Sequence, residues 1–254
     1  TVSSSSILLF IVILLLYVAY HYRSLSRNGF YGALIMGIIV TLIGSWRFLF
    51  PLAAFFILSS LLSKIVKNTS FYQTKGSARD IVQVYANGGI ALLICIFDFI
   101  QPNAINFFLF LASVSAAMSD TWATEIGKIS KKRPISIVNF IPMDHGLSGG
   151  ITRIGIIGSL LGSSLFGFTI WCVIPIPSFI AYGIILCGFV GSVFDSFLGA
   201  TIQAKYETQT GEIIESSQEG AVFISGISWV NNDMVNLMNT AFAPTLMYFY
   251  LKNF

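Results

Sequence analysis

The sequence contains few charged residues. Asp, Glu, Lys and Arg occupy 10% of its 254 positions, whereas an ordinary soluble domain has about 25%. The chain also carries 23 phenylalanines and has a mean hydropathy of +0.80, so too few charges remain to cover a water-facing surface. This composition excludes an ordinary cytosolic domain, a disordered chain and a nucleic-acid-binding protein. It favours an integral membrane protein in a lipid bilayer.

Cysteine is also scarce. The three cysteines, Cys95, Cys172 and Cys187, stand alone inside apolar runs, without Cys-x-x-Cys spacing or a histidine neighbour. They therefore indicate neither a disulfide framework nor a cysteine metal site.

Apolar residues are concentrated in eight continuous runs of roughly the length that crosses a bilayer as a helix. A transmembrane β-barrel would instead show alternating segments of about ten residues. The runs are Ile7–Tyr20, Gly29–Gly44, Arg47–Ser63, Ile81–Ile100, Ile105–Ile126, Ile151–Ile174, Ser178–Ile202 and Met234–Leu251. They predict an all-α, polytopic transmembrane helical bundle of about eight spans, forming one domain over residues 1–254.

The connections between the runs alternate between short and long. The short ones are uncharged, whereas the long ones, His21–Asn28, Lys64–Asp80, Gly127–Gly150 and Gln203–Asp233, are polar and charged. Eight spans place all long connections on one side of the membrane, here named the long-loop face. In the last of them, polar and apolar residues partly alternate around Thr210 and Gly211, which predicts a small hairpin.

Basic residues follow the same division. Twelve lie on the long-loop face, and only Arg47 and Lys252 lie on the other. Because lysine and arginine are enriched in cytoplasmic loops, this bias predicts a cytoplasmic long-loop face with both termini outside.

Five acidic residues lie in or at the ends of four spans, toward the long-loop face. They are Asp80, Asp120, Glu125, Asp195 and Asp233. A charge at the centre of a span costs about 2.5–3.5 kcal/mol on insertion scales, so such residues suggest function. Convergent carboxylates and amides suit a hard cation such as Mg²⁺, and Mg²⁺ in turn suggests phosphate groups. The alternative is a set of purely structural interhelical hydrogen bonds.

Two loops on this face have the composition of anion sites. Lys75–Arg79 leads into the helix at Asp80, and Gly146–Gly150 leads into the helix at Ile151. Small residues before a helix expose backbone N–H groups, and the helix dipole favours an anion there. The Walker motif is absent, and each loop by itself also fits a simple helix start.

Six strings of residues carry a family resemblance. They are GSARD (76–80), QVYANGG (83–89), SDTWATEIG (119–127), SGG (148–150), DSFLGATIQ (195–203) and NNDMVN (231–236). Together, over about residues 24–250, they resemble the integral membrane family of plant phytyl-phosphate kinase and animal transmembrane protein nineteen.

The resemblance implies transfer of a phosphoryl group from a nucleoside triphosphate, either CTP or ATP, to a membrane-embedded prenyl monophosphate. On this basis we assign Asp120 and Asp195 as catalytic Mg²⁺ ligands and Arg79 and Asn87 as further catalytic residues. The remaining assignments are Glu125, Asp233 and Asp80 to the metal, Lys75, Gly76, Ser77, Ser148, Gly149 and Gly150 to the nucleotide, and Arg153, Asn232 and Asn236 to the acceptor phosphate.

Two alternatives stay open at this stage. A cytidylyltransferase that makes a CDP-lipid would use the same metal and charges but would release pyrophosphate. A transporter or scramblase of phosphorylated lipid would place its polar residues near the bilayer midplane and often carry inverted repeats. Here the polar residues crowd toward one face and no repeat is visible, which favours an enzyme.

Cysteine labelling in intact cells tests the predicted topology. A membrane-impermeant thiol reagent is expected to label Lys252→Cys from outside and to reach Lys67→Cys only after the membrane is opened. The parent chain, whose native cysteines all lie in apolar runs, sets the background. Labelling of position 67 from outside would show that the chain has the opposite orientation to the predicted one.

Overall fold

One long helix corresponds to each of the eight apolar runs. The structure, a computed structural model, describes residues 4–67 and 78–253. The helices are α1 (Ser4–His21), α2 (Arg27–Ile43), α3 (Ser45–Lys67), α4 (Ile81–Ile100), α5 (Ala104–Gly127), α6 (Arg153–Val173), α7 (Ser178–Thr201) and α8 (Asn232–Leu251). The predicted helical bundle is thereby confirmed.

Six of these helices are long and apolar enough to cross a membrane. Of the other two, α2 is shorter, with 17 residues, and α8 is less apolar because it carries polar residues such as Asn236, Asn239 and Thr240. The chain is therefore a multi-pass integral membrane protein, and eight is an approximate number of spans.

Helix α5 is the centre of the bundle. It packs against α3, α4, α6, α7 and α8, and every residue from Phe110 to Ser119 is buried. Most of this stretch is Ala, Ser and other small residues, which allow membrane helices to approach closely. From α7, Gly188 and Gly191 pack directly against Ser115 and Ala116 of α5.

Two small antiparallel sheets lie in the long connections. Between α5 and α6, β1 (Ile135–Ser136) pairs with β2 (Gly150–Ile151). Between α7 and α8, β3 (Lys205–Glu207) lies between β4 (Ile213–Ile214) and β5 (Val222–Ser225). The β3–β4 pair is the predicted hairpin, and β5 adds a strand that the sequence did not reveal.

Helix α6 begins two residues later than predicted. Gly150 and Ile151 are held in β2 by pairing with Ser136 and Ile135, so they are extended rather than helical. Thr152 then caps the helix, because its side chain accepts a hydrogen bond of 3.0 Å from the Gly155 N–H.

The close contact between α5 and α7 predicts that Gly188→Ala destabilises the protein. The added methyl would lie 2.9 Å from Ser115 Cβ and 3.0 Å from the Ser115 carbonyl carbon. We expect a loss of about 1–3 kcal/mol from overpacking, although alanine ordinarily favours a helix over glycine by about 1 kcal/mol. Thermal unfolding in detergent measures the change.

Gly89→Ala is the matched control. The nearest atoms to an added methyl there belong to Tyr85, at 3.8 Å, so we expect an unchanged or slightly higher melting temperature. Equal melting temperatures for the two variants would contradict tight α5–α7 packing at Gly188.

Candidate functional site

The long connections meet one another at the long-loop face. The segment before α4 pairs with the α1–α2 connection, where Arg79 N–H donates to the Ser24 carbonyl at 3.1 Å and Ser26 N–H donates to the Arg79 carbonyl at 3.0 Å. The α5–α6 and α7–α8 connections meet through Ser148 and Glu215. The first pair of contacts fixes the segment before α4, and the second joins the loop before α6 to the segment after β4.

A pair of carboxylates with an amide lies where α5, α7 and α8 meet. Asp195 of α7 lies within electrostatic reach of Asp120 of α5, and its carboxylate lies beside the side-chain amide of Asn239 of α8. Gly191, one turn before Asp195, makes this approach possible, because a Cβ there would lie 2.7 Å from Asn239 Oδ1 and 3.0 Å from Ala116 Cβ. The structure thus brings together the two residues predicted to be the leading metal ligands.

Two oxygen atoms of this cluster are buried without a partner. Within the described part of the chain, neither Asp195 Oδ2 nor Asn239 Oδ1 accepts a hydrogen bond. An unsatisfied buried acceptor beside a second carboxylate is unfavourable, and a cation would satisfy both oxygens. The donor set of two carboxylates and one amide oxygen fits a hard cation such as Mg²⁺.

The five predicted carboxylates do not form a single cluster. Asp233, in the first turn of α8, lies near Asp80, and Asp80 caps α4 by accepting a 2.9 Å bond from the Gln83 N–H. Glu125 forms a 2.9 Å ion pair with Lys128. Among residues 4–67 and 78–253, no group of three or more acidic, histidine or cysteine side chains is placed to hold a metal.

Arg79 forms a second polar centre, beside an aromatic surface. Its guanidinium lies 5.7 Å from the ring centroids of both Phe55 and Phe56 on α3. Its Nη1 atom is buried and has no hydrogen-bond partner in the described chain. Glu125 interacts with it electrostatically, but that carboxylate is already paired with Lys128. The unpartnered Nη1 donor of Arg79 can bind an anion.

The glycine loop before α6 lies against the end of α7. Gly149 has a φ of +83°, a conformation that favours glycine, and it lies so close to Gly199 that a Cβ on Gly199 would be 2.9 Å from the Gly149 nitrogen. The Ser148 N–H donates a 2.6 Å bond to Glu215 Oε1. The donor that we predicted to hold a nucleotide phosphate therefore holds a carboxylate in this structure.

Glu215 is positioned by a small hydrogen-bond network. The Ser148 hydroxyl donates to Glu215 Oε2 at 2.8 Å, and Gln203 Nε2 donates to the same hydroxyl at 2.9 Å. Burial raises the pKa of Glu215, and the two bonds from Ser148 act in the opposite direction.

Four further predicted residues lie on α4, α6 and α8. Asn87 donates to the Gln83 carbonyl of its own helix at 2.9 Å, and Arg153 is exposed at the start of α6. Asn232 is exposed and Asn236 is half-buried on the first turns of α8. Lys75, Gly76 and Ser77 lie outside the described residues.

Sequence reasoning missed two residues of the site. Asn239 continues the series Asn232 and Asn236 at helical spacing, so the stripe on α8 contained a signal that it faces the bundle. Glu215 had no such signal, since its contact with Ser148 joins two connections that are 67 positions apart in sequence.

Comparisons with known proteins place the chain among membrane proteins. It is 30% identical to an uncharacterized membrane protein of Methanocaldococcus jannaschii, over 72% of this chain and 76% of that protein. It is 27% identical to Protein PGR of Arabidopsis thaliana over 92% of both chains. Protein VTE6, chloroplastic, of the same plant is 25% identical, over 90% of this chain and 67% of that protein.

No solved structure shows significant similarity to this chain. Residues 10–244 match the family described as "Integral membrane protein DUF92". The matched segment covers α2 to α7 entirely, most of α1 and the first part of α8, including every site residue described above. The chain therefore belongs to the integral membrane protein family DUF92.

Proposed function

We propose that this protein is a membrane-embedded kinase that transfers the γ-phosphoryl group of CTP or ATP to a prenyl monophosphate. An oxygen of the acceptor phosphate attacks the γ-phosphorus, the bond to the bridging oxygen of the β-phosphate breaks, and a nucleoside diphosphate leaves. The observation that carries the proposal is the Asp120–Asp195–Asn239 cluster, with its two unpartnered buried oxygens. The motif resemblance and the family membership support it.

The cluster is the proposed binding site for Mg²⁺. Mg²⁺ characteristically uses one or two protein carboxylates and completes its shell with water and substrate phosphates, which agrees with a site of two carboxylates and one amide. Bound there, the ion would neutralise charge on the transferring phosphate. Asp120 and Asp195 would hold it together with Oδ1 of Asn239, and would orient the donor phosphates through it.

Arg79 is the proposed holder of the acceptor phosphate rather than of the nucleotide. Its guanidinium lies on Phe55 and Phe56, an apolar surface suited to the first isoprene unit of a lipid tail. Arginine binds phosphate oxygens through its planar fork of donors, and Nη1 is buried and available. The acceptor is already anionic at its attacking oxygen, so no strong general base is required.

The donor is assigned to the glycine loop. Ser148 supplies both an N–H and a hydroxyl to one anionic group, and the loop belongs to the water-exposed connections rather than to the spans. A water-soluble nucleotide would approach from this side, whereas a lipid phosphate would enter from the bilayer.

Asp120→Asn and Asp195→Asn are each expected to lower turnover by about 100-fold or more, as for loss of a group that stabilises transition-state charge. Each should also abolish the rise in melting temperature caused by Mg²⁺ and nucleotide, because a ligand stabilises only the protein that binds it. The assay is purified protein in nanodiscs with labelled nucleotide and prenyl monophosphates.

Asp98→Asn is the matched control for these variants. Asp98 lies on α4 near its other end and accepts bonds from Asn103 and Asn106, so turnover should stay near the wild-type value. If both test variants kept normal turnover and the normal rise in melting temperature with Mg²⁺ and nucleotide, the metal site would have to lie elsewhere. Release of pyrophosphate instead of nucleoside diphosphate would identify a nucleotidyltransferase and overturn the kinase assignment.

Arg79→Gln is expected to raise the KM for the prenyl monophosphate by about 10- to 100-fold, the value of one or two charge-assisted hydrogen bonds. The KM for the nucleotide should change much less. Arg47→Gln is the control, since Arg47 also lies over a phenylalanine ring, 4.7 Å from that of Phe107, on the opposite face. If Arg79→Gln raised only the KM for the nucleotide, Arg79 would hold the donor phosphate and not the acceptor phosphate.

A further inference from the structure

One carboxylate links the β3–β5 sheet to the glycine loop. Glu215 directly follows β4, and its two oxygens accept bonds from the Ser148 N–H at 2.6 Å and the Ser148 hydroxyl at 2.8 Å. The hydroxyl in turn accepts a 2.9 Å bond from Gln203 Nε2. Ser148 therefore presents two donors to one anion, and the anion comes from the protein itself.

A phosphate group would use the same donors. Backbone N–H groups and hydroxyls bind phosphate oxygens in the way that they bind a carboxylate. Because both groups are negatively charged and need the same two donors, a phosphate and the Glu215 carboxylate cannot occupy Ser148 together. Occupation by one requires departure of the other.

The β3–β5 sheet has a fixed end and an end that depends on Glu215. At its base, the Ile227 N–H donates to the Ile202 carbonyl and the Ala204 N–H donates to the Val230 carbonyl, both at 2.9 Å. These bonds tie the sheet to the ends of α7 and α8. On the far side, β4 reaches the glycine loop through Glu215, so loss of that contact would release β4 from the glycine loop while it stays paired with β3 and the base stays attached.

A cavity lies between the glycine loop and β4. It has a volume of 330 Å³ and is lined by Asp144, His145, Gly146 and Leu147 on one side and by residues 212–216 and Gln218 on the other. This volume is in the range of small-molecule sites. Glu215 therefore lies at the boundary between a cavity and the donors of Ser148.

We propose that Glu215 is an internal substitute for a nucleotide phosphate, which closes the β3–β5 sheet over the glycine loop until a phosphate displaces it. This inference rests on the proposed function, since it takes the incoming phosphate to belong to the nucleotide donor. Burial raises the pKa of Glu215, so its ionised form is held at a cost, as is appropriate for a group that a stronger anion displaces.

Glu215→Gln tests the proposal, because it should strengthen nucleotide binding and not weaken it. The amide keeps the size of the side chain but removes the competing charge, so the affinity for CTP or ATP should increase about tenfold, the value of one charge-assisted hydrogen bond. Glu219→Gln, an exposed change of the same charge on the β4–β5 connection, should leave the affinity unchanged. Weaker or unchanged nucleotide binding by Glu215→Gln would overturn the proposal.

Hydrogen exchange measures the closure directly, without any nucleotide. In the apo protein, residues 146–150 and 213–225 should exchange faster in Glu215→Gln than in wild type or Glu219→Gln. Ser148→Ala, which removes the hydroxyl and keeps the N–H, should also speed exchange over residues 213–225. Unchanged exchange in both variants would show that Glu215 does not hold the sheet.

Inorganic pyrophosphate separates failure of this inference from failure of the proposed function. In the wild type it should speed exchange over residues 213–225 by displacing Glu215. If neither pyrophosphate nor nucleotide changes that exchange, the displacement is wrong. If pyrophosphate frees the sheet but no prenyl monophosphate is phosphorylated, the displacement stands and the proposed kinase function is wrong.

Discussion

The structure depends on two like-charged carboxylates that meet where three helices join. Asp120 and Asp195 are both half-buried and interact within the helix bundle, where a dielectric lower than that of water strengthens their repulsion. The arrangement is tolerable only if a cation, a proton or hydrogen-bond donors compensate it. Asp195 Oδ2 and Asn239 Oδ1 are buried without a hydrogen-bond partner in the described chain, which favours a binding site over ordinary helix packing.

Helix α5 connects the two halves of the proposed site. It carries Asp120 toward α7 and α8, and five residues later it carries Glu125 toward Arg79 at the start of α4. The first half is acidic and suits a metal, whereas the second presents a buried, unpartnered arginine nitrogen and suits an anion. Phosphoryl transfer needs both, because catalysis consists mainly of positioning and of balancing charge.

The sequence predicted helices well because each span is a continuous apolar run, and in lipid only a helix satisfies the backbone of such a run. It predicted site residues only in part. Helical spacing shows which residues share a face, but it cannot show which faces meet, so Asp80, Asp233 and Glu125 were grouped with a pair from which the structure separates them. Asn239 could have been predicted from its helical spacing with Asn232 and Asn236. Glu215 could not, because its contact with Ser148 depends on how two loops fold across each other.

The helices differ in how apolar they are, and this difference follows their positions in the bundle. Among the six candidate spans, α5 is the least apolar and also the most buried, the reverse of what a soluble core would require. Lipid-facing helices need apolar surfaces, whereas a helix enclosed by others can carry polar groups that its neighbours satisfy. Helix α8 shows this pairing, since Thr240 donates to the Ala86 carbonyl of α4 at 3.2 Å and Asn239 lies beside Asp195. The lower hydropathy of α5 and α8 therefore reflects the polar residues that these helices bring to the cluster of Asp120, Asp195 and Asn239, and the spans with the least apolar composition are those that hold the proposed metal site.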